Sequence, residues 1–228
     1  MPVAATIALD GPAGAGKTVV GMGVARQLGY LFLDTGAMYR ALTYLALQRG
    51  VALTDETALV ALARQAAIDI LPDGAADGRP YTVLAAGEDV TWQIRNPPVN
   101  ENVSTLSAWP GVRREMVRAQ VGLAARGCCV LAGRDIGTVV LPQADLKVFL
   151  VASLEERARR RAEELRSRGE EVDLAALRAA IAARDELDSR REASPLKPAP
   201  DAHMLDSTGL TVEEVVATIV ALARKGLN

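Results

Sequence analysis

The chain has 228 residues, half of them hydrophobic, with 26 Lys and Arg against 28 Asp and Glu and a formal net charge of −2. That length suits one sizeable domain with one or two small insertions. Near-neutral charge excludes a global positive field drawn to nucleic acid or a membrane surface, so any anion site must be local.

The N-terminal stretch MPVAATIALDG carries no basic n-region, and no apolar run approaches the roughly 18 residues of a membrane span, so a cytoplasmic protein is expected. Residues 5–10, ATIALD, form a short apolar run stopped by a Gly-rich turn, and a helical pattern follows up to Gly29, a suitable residue just past a helix end. A second apolar run, YLFL, ends at Asp34, and another helical stretch carries on to Gly50. Residues 81–94 alternate instead, with Val83 and Ala85 on one face, Val90, Trp92 and Ile94 on another, and Gly87-Glu88-Asp89 between them. That pattern predicts an antiparallel hairpin inserted into the core.

CCVLAG and LKVFLVA are two further continuous apolar runs, and HMLD is a last short one. The cysteines, Cys128 and Cys129, lie adjacent in the first of these, which fits buried strand residues rather than a disulfide or a metal site. Continuous runs separated by helices predict parallel strands covered on both faces, hence an α/β fold with a doubly wound sheet. Residues 153–195 form a polar, arginine-rich helical excursion opened by a Ser153–Glu156 capping box, with a thin apolar stripe at Leu154, Ala158, Ala162 and Leu165. Such a helix is poorly buried and free to move. SPLKPAP at 194–200 reads as a loop, and Thr211 with Glu214 caps a final helix.

Gly11-x4-Gly16-Lys17-Thr18 fits G-x-x-x-x-G-K-[ST] and lies between a predicted strand and a predicted helix. Glycines let the backbone curl so that successive N–H groups point inward, and the helix N-terminus adds partial positive charge. Lys17 would reach the β- and γ-phosphates while the Thr18 hydroxyl ligates Mg²⁺. Lysine is scarce, at 17, 147, 197 and 225, yet one stands at the required position. A guanine-binding Asn-Lys-x-Asp motif is excluded because no lysine follows an asparagine. Length and the arginine-rich excursion favour a compact kinase closing over two substrates rather than a motor ATPase.

LDTGAMYR at 33–40 then reads as a second anion site, with a hydroxyl at a helix start and Arg40 nearby; alone, it fits an N-cap with a surface arginine equally well. Arg134 and Asp135, in AGRDIG, emerge at a strand's carboxyl end, where open α/β sheets bind ligands. Arg113 and Arg114 stand early in a helix, against its dipole unless an anion compensates. Arg184, Asp188 and Arg191 share one helix face, and a plain surface pair worth about 0.3–0.5 kcal/mol explains Arg184 with Asp188 as well as a binding role does.

GPAGAGKT, LDTGAMYR, AGRDIGTVV, RDELDSRREASPL and LDSTGLTVEEVV, in that order over almost the whole chain, resemble the bacterial cytidylate kinases, a P-loop nucleoside monophosphate kinase family. The resemblance implies a P-loop core at 1–65, 104–152 and 196–228, an enlarged nucleoside-monophosphate-binding insert at 66–103, and a lid with the following nucleotide-binding helix at 153–195. It implies an ATP site at Gly11, Pro12, Ala13, Gly14, Ala15, Gly16, Lys17, Thr18 and Val19. Two valines follow Thr18 where the family commonly has a small polar residue, which leaves Mg²⁺ to Thr18 and the ATP phosphates. Thr35, Arg40, Arg134 and Arg191 would gather around the CMP phosphate. Ser104, Arg113 and Asp135 would read cytosine, and Arg184 with Asp188 would hold the ribose.

The implied reaction is ATP with CMP, and with dCMP, giving ADP and the diphosphate. The attacking phosphate oxygen is already ionised, so no general base is needed, and the lone His203 is expected to be structural. Lys17, Arg134 and the lid arginines Arg157 and Arg161, four apart on one face, would neutralise the transferring charge. Cytosine offers an amino donor that suits Asp135, whereas uracil would set an acceptor against it. A monomer is expected. The competing readings are a P-loop kinase with another acceptor and a nucleotide-dependent switch, for which a second arginine-lined site would have no use.

Overall fold

The computed structural model describes residues 5–72, 77–167 and 169–225. In chain order the elements are β1 (Thr6–Asp10), α1 (Lys17–Leu28), β2 (Leu31–Asp34), α2 (Thr35–Gln48), α3 (Glu56–Gln65), β3 (Asp69–Pro72), β4 (Tyr81–Ala85) and β5 (Glu88–Asp89). They continue with α4 (Pro97–Ala108), α5 (Pro110–Ala124), β6 (Cys129–Gly133), β7 (Leu146–Val151), α6 (Leu154–Ser167), α7 (Leu174–Arg190), β8 (His203–Asp206) and α8 (Val212–Lys225). Two compact units result, one built from residues 1–30 and 129–228, the other from 31–128.

The first unit carries parallel strands in the order β6-β1-β7-β8, with Asp10 opposite Gly133 on one side and Phe149 on the other. Ile7, Ala8 and Leu9 are fully buried, as are Cys129, Val130 and Leu131. Strands covered on both faces have no solvent side for alternation to mark, which is why these runs are continuously apolar. Each such Ile or Leu contributes about 1.5–3 kcal/mol by leaving water. Helices α1 and α8 pack closely. A Cβ on Gly23 would stand 2.7 Å from Val216 Cγ2, so the contact depends on the missing side chain. The Thr211–Glu214 box forms reciprocally, with Glu214 Oε2 accepting from Thr211 N at 2.8 Å and Thr211 Oγ1 from Glu214 N at 3.2 Å. The Ser153 box forms by half. Ser153 Oγ accepts from Glu156 N at 3.2 Å, while the Glu156 carboxylate turns to Arg159 and Arg160.

In the second unit α2 buries Met38, Ala41, Leu42 and Leu45, and α3 meets α5 at Gly111, whose N–H donates to Glu56 Oε1 at 2.6 Å. The antiparallel sheet has the order β3-β4-β5. Strand β4 buries Val83 and Ala85 on one face as the alternation predicts. The other arm departs from the expected hairpin and stops at Asp89. Thr91 N donates to Asp89 Oδ1 at 3.0 Å, turning the chain, and Ile94 N donates to Val90 O at 3.1 Å. Val90 and Ile94 therefore bury at helical spacing, while Trp92 stays 46% exposed and does not share their face.

One smaller expectation also changes. Cys129 is buried in β6, but Cys128 precedes the strand and is exposed. His203 lies on β8 with its side chain exposed, because β8 forms the outer strand of its order and its pattern is largely solvent-facing. Among the described residues, no helix is long and apolar enough to cross a membrane.

Candidate nucleotide sites

The carboxyl end of β1 leads directly into the phosphate loop. A Cβ on Gly11 would lie 2.1 Å from the Leu150 carbonyl oxygen, so only glycine lets the loop press against β7. Gly16 takes the left-handed region at φ 91° and hands the chain to α1 without a capping side chain. Lys17 is buried, and its Nζ donates to Gly11 O at 2.8 Å and Pro12 O at 2.7 Å. The ammonium is thus held by the loop's own carbonyls. Ala15 is buried, Pro12, Ala13 and Thr18 are half-buried, and Gly14 and Val19 face solvent.

Asp10 closes β1 and is 4% exposed. Its two carboxylate oxygens accept from Ile136 N and Gly137 N, each at 2.8 Å, fixing the turn that follows β6. Burial pushes its pKa up to about 6; the two N–H groups and Lys17 oppose that, and Asp135 adds to it. Asp135 is buried just before a π-helical turn, Ile136–Val140, whose first two N–H groups Asp10 holds.

Beside it, Arg134 Nε donates to Asp188 Oδ2 at 2.8 Å, and Arg191 Nη1 lies 3.6 Å from Asp188 Oδ1. Burial works against the Asp188 charge, yet Arg134, Arg191 and Arg184 together hold its pKa below the ordinary carboxylate value. The i,i+4 pairing of Arg184 with Asp188 is thus one influence among three, and the tertiary pair with Arg134 is the close contact. A cationic pair around one buried carboxylate at the carboxyl end of β6 suits a phosphate-bearing ligand.

The two expected lid arginines occupy different surroundings. Arg157 is 7% exposed and donates to Ala13 O at 2.9 Å, to Ala152 O at 3.1 Å and to the Asp185 carboxylate. Arg161 pairs with Glu164 on the helix surface. Arg160, which helical spacing did not single out, donates to Ser207 Oγ and O at 3.1 and 2.6 Å, and its Nη1 lies 3.7 Å from where a Gly16 Cβ would be.

Within the second unit, Asp34 caps α2 by accepting from Ala37 N at 3.2 Å, and Thr35, next in line, is buried. Tyr81 Oη donates to the other Asp34 oxygen at 2.8 Å; burial first and then the Asp34 charge push the Tyr81 pKa far up. Arg40 donates to Asn100 Oδ1 and to Ile94 O. The Arg95 guanidinium lies 5.9 Å above the Tyr81 ring. Arg113 is 3% exposed, stacks 5.4 Å from the Tyr39 ring and donates to Ser107 O at 3.2 Å, one turn beyond half-buried Ser104. These contacts steady an arginine that the α5 dipole alone would disfavour. Tyr81, Arg95 and Asn100 escaped the sequence reading because their relation to Asp34 and Arg40 is set by packing of the insert. Asp10 was legible as an acid just before Gly11; Asp185 had no visible partner.

A parallel sheet whose first strand opens through a glycine loop onto a helix defines a P-loop nucleotide-binding protein. A solved protein of Eubacterium ventriosum ATCC 27560, itself uncharacterized, shares the fold at a TM-score of 0.53 and 10% identity, over 96% of this chain and 98% of that one. The cytidylate kinase family model matches residues 7–225, and the chain belongs to that family. The cytidylate kinase of Chloroflexus aggregans is 53% identical over 220 residues, 96% of this chain and 94% of that protein. That of Bacillus licheniformis is 50% identical over 221 residues, 96% of each.

Proposed function

We propose that this nucleoside monophosphate kinase transfers the γ-phosphoryl group of ATP to the phosphate of CMP, and also to that of dCMP. A non-bridging oxygen of the CMP phosphate attacks the γ-phosphorus while the bond to the ADP oxygen breaks in line. The observation that carries this reading is the pairing of Lys17 over a phosphate loop with the Arg134–Asp188–Arg191 cluster after β6, in a chain of the cytidylate kinase family.

The residues divide the work by chemistry. Residues 11–19 hold the donor. Lys17 leaves its carbonyl partners for the β- and γ-phosphates, a stronger charge-assisted contact. Thr35, Arg40, Arg134 and Arg191 hold the acceptor phosphate, and Ser104, Arg113 and Asp135 read the base. Arg184 and Asp188 hold the sugar. A ribose hydroxyl on Asp188 would release Arg134 toward the phosphate, so sugar and phosphate recognition are linked. Arg157 and Arg161 belong to a lid at 153–195, and residues 66–103 to the acceptor-binding insert. The attacking oxygen carries its charge already, so positioning and charge neutralisation suffice.

The half-buried Thr18 hydroxyl on the first turn of α1 fits an Mg²⁺ ion brought in on the ATP phosphates. Among the described residues no cluster of three His, Cys, Asp or Glu side chains suits a metal, and both Asp10 oxygens are engaged, so the fit is to a phosphate-borne ion that keeps water ligands. When bound, it would neutralise phosphate charge. The proposed protein acts as a cytoplasmic monomer.

The test is ADP release from Mg·ATP with CMP, dCMP, UMP and AMP supplied separately, for the wild type and Asp135→Ala. Fast release with CMP and slow release with UMP, collapsing in the variant, is the expected result. Release indifferent to every acceptor would overturn it.

A further inference from the structure

The peptide of Ala13, third in the phosphate loop, is gripped from both sides by residues far along the chain. Its N–H donates to Asp185 Oδ1 at 3.3 Å, and its carbonyl accepts from Arg157 Nη1 at 2.9 Å. The two gripping side chains are themselves joined, Arg157 Nη1 donating to Asp185 Oδ2, and a third bond runs from Arg157 Nε to Ala152 O. Arg157 is 7% exposed and lies against the loop along its stem, with a Gly14 Cβ position only 3.2 Å from Arg157 Cβ. Moving a buried guanidinium off acceptors on several sides is costly unless new partners replace them.

We propose that Asp185 is a positioning residue for the phosphate loop: it holds the Ala13 N–H directly and holds the Ala13 carbonyl through Arg157, so that α7 sets the shape in which the loop meets the donor. The proposal rests on the reading of residues 11–19 as the ATP site. Asp188 lies one helical turn further on the same face of α7, where it pairs with Arg134. One helix therefore braces the donor loop through Asp185 and the acceptor cluster through Asp188. The two roles are separable because the partners differ.

The experiment measures ATP and CMP binding separately, by direct titration of each nucleotide without the other, for the wild type and for Asp185→Asn, Asp185→Glu and Arg157→Lys. Removing the charge or shortening the fork loses a charge-assisted bond on a buried group, so Asp185→Asn and Arg157→Lys are expected to weaken ATP about tenfold. CMP binding stays within about twofold, and Asp185→Glu recovers part of the ATP loss. ATP affinity within twofold of wild type in both Asp185→Asn and Arg157→Lys would overturn the proposal. So would a parallel loss of ATP and CMP affinity, which a general loosening of α7 would produce. Thermal melting of each variant identifies any that fails to fold, and the remaining variants then decide. ATP titration needs no acceptor, so a wild type that binds ATP without CMP-dependent ADP release would fail the kinase reading while still testing this one.

Discussion

Arg134, just after β6, donates to the carboxylate of Asp188, on α7, at 2.8 Å, so this cation already has an internal counter-charge. Arg191 shares that carboxylate. Asp188→Ala leaves two arginines facing each other with little solvent to screen them. The expected cost is about 2–4 kcal/mol in urea unfolding of the free protein, and inorganic phosphate, which makes no sugar contact, should raise the melting temperature more in the variant than in the wild type, because it replaces the missing charge. Equal stabilisation by phosphate in both proteins would contradict the assignment.

Asp10 gives stability a specific pH dependence. Its folded pKa of about 6 lies above the ordinary 3.8 because burial opposes its charge. A raised carboxylate pKa means the folded state binds the proton more tightly. The contribution is therefore full below about pH 4, lost as pH rises through 6, and constant above that. Two units correspond to about 3 kcal/mol at most. Asp10→Asn carries no such titration, so wild-type stability minus variant stability should fall between pH 4 and 7 in denaturant titrations. A flat difference would show that Asp10 does not titrate in that range.

Gly11→Ala should be among the most damaging single-methyl changes in the chain. Its Cβ would be driven to 2.1 Å from the Leu150 carbonyl, a backbone atom that cannot rotate away. A loss on the order of 3 kcal/mol in stability, together with lost ATP binding, is expected from chemical unfolding and nucleotide titration. Gly29→Ala meets nothing within 4 Å and so serves as a control for the left-handed backbone cost alone, at φ 72°.

Lys17→Met removes the ammonium but keeps most of the buried stem. Turnover with CMP should fall by about 10²- to 10³-fold, and ATP affinity by much less, since the charge acts most on the developing transition state. Steady-state kinetics separate the two. A change confined to KM for ATP would mean that Lys17 only binds.

The strands β1, β6 and β7 and the helices α1, α2 and α8 were legible because continuous apolar runs and capping signals are local. The insert was half legible. Val83 and Ala85 alternate as a strand, but the Val90, Trp92, Ile94 alternation was produced by a turn at Asp89 that buries residues four apart. Period two and period four coincide over five residues, and side-chain bonds from Asp89 and Thr91 decided between them. Cys128 differs for a related reason: being next to a strand does not imply burial.

By itself the sequence determined the phosphate loop, the parallel-strand class and the residue types of the second anion site, since each depends on neighbours a few positions away or on the ordered motifs of a family. Only the tertiary structure decided which charges meet. It joined Arg134 to Asp188, Asp10 to the turn at Ile136–Gly137, and Arg157 with Asp185 to Ala13, contacts between residues 54, 126 and 144 or more positions apart. Charge attraction has no periodicity along a chain, so such partners become visible when packing has brought them within hydrogen-bond reach and excluded the water that would otherwise take their place.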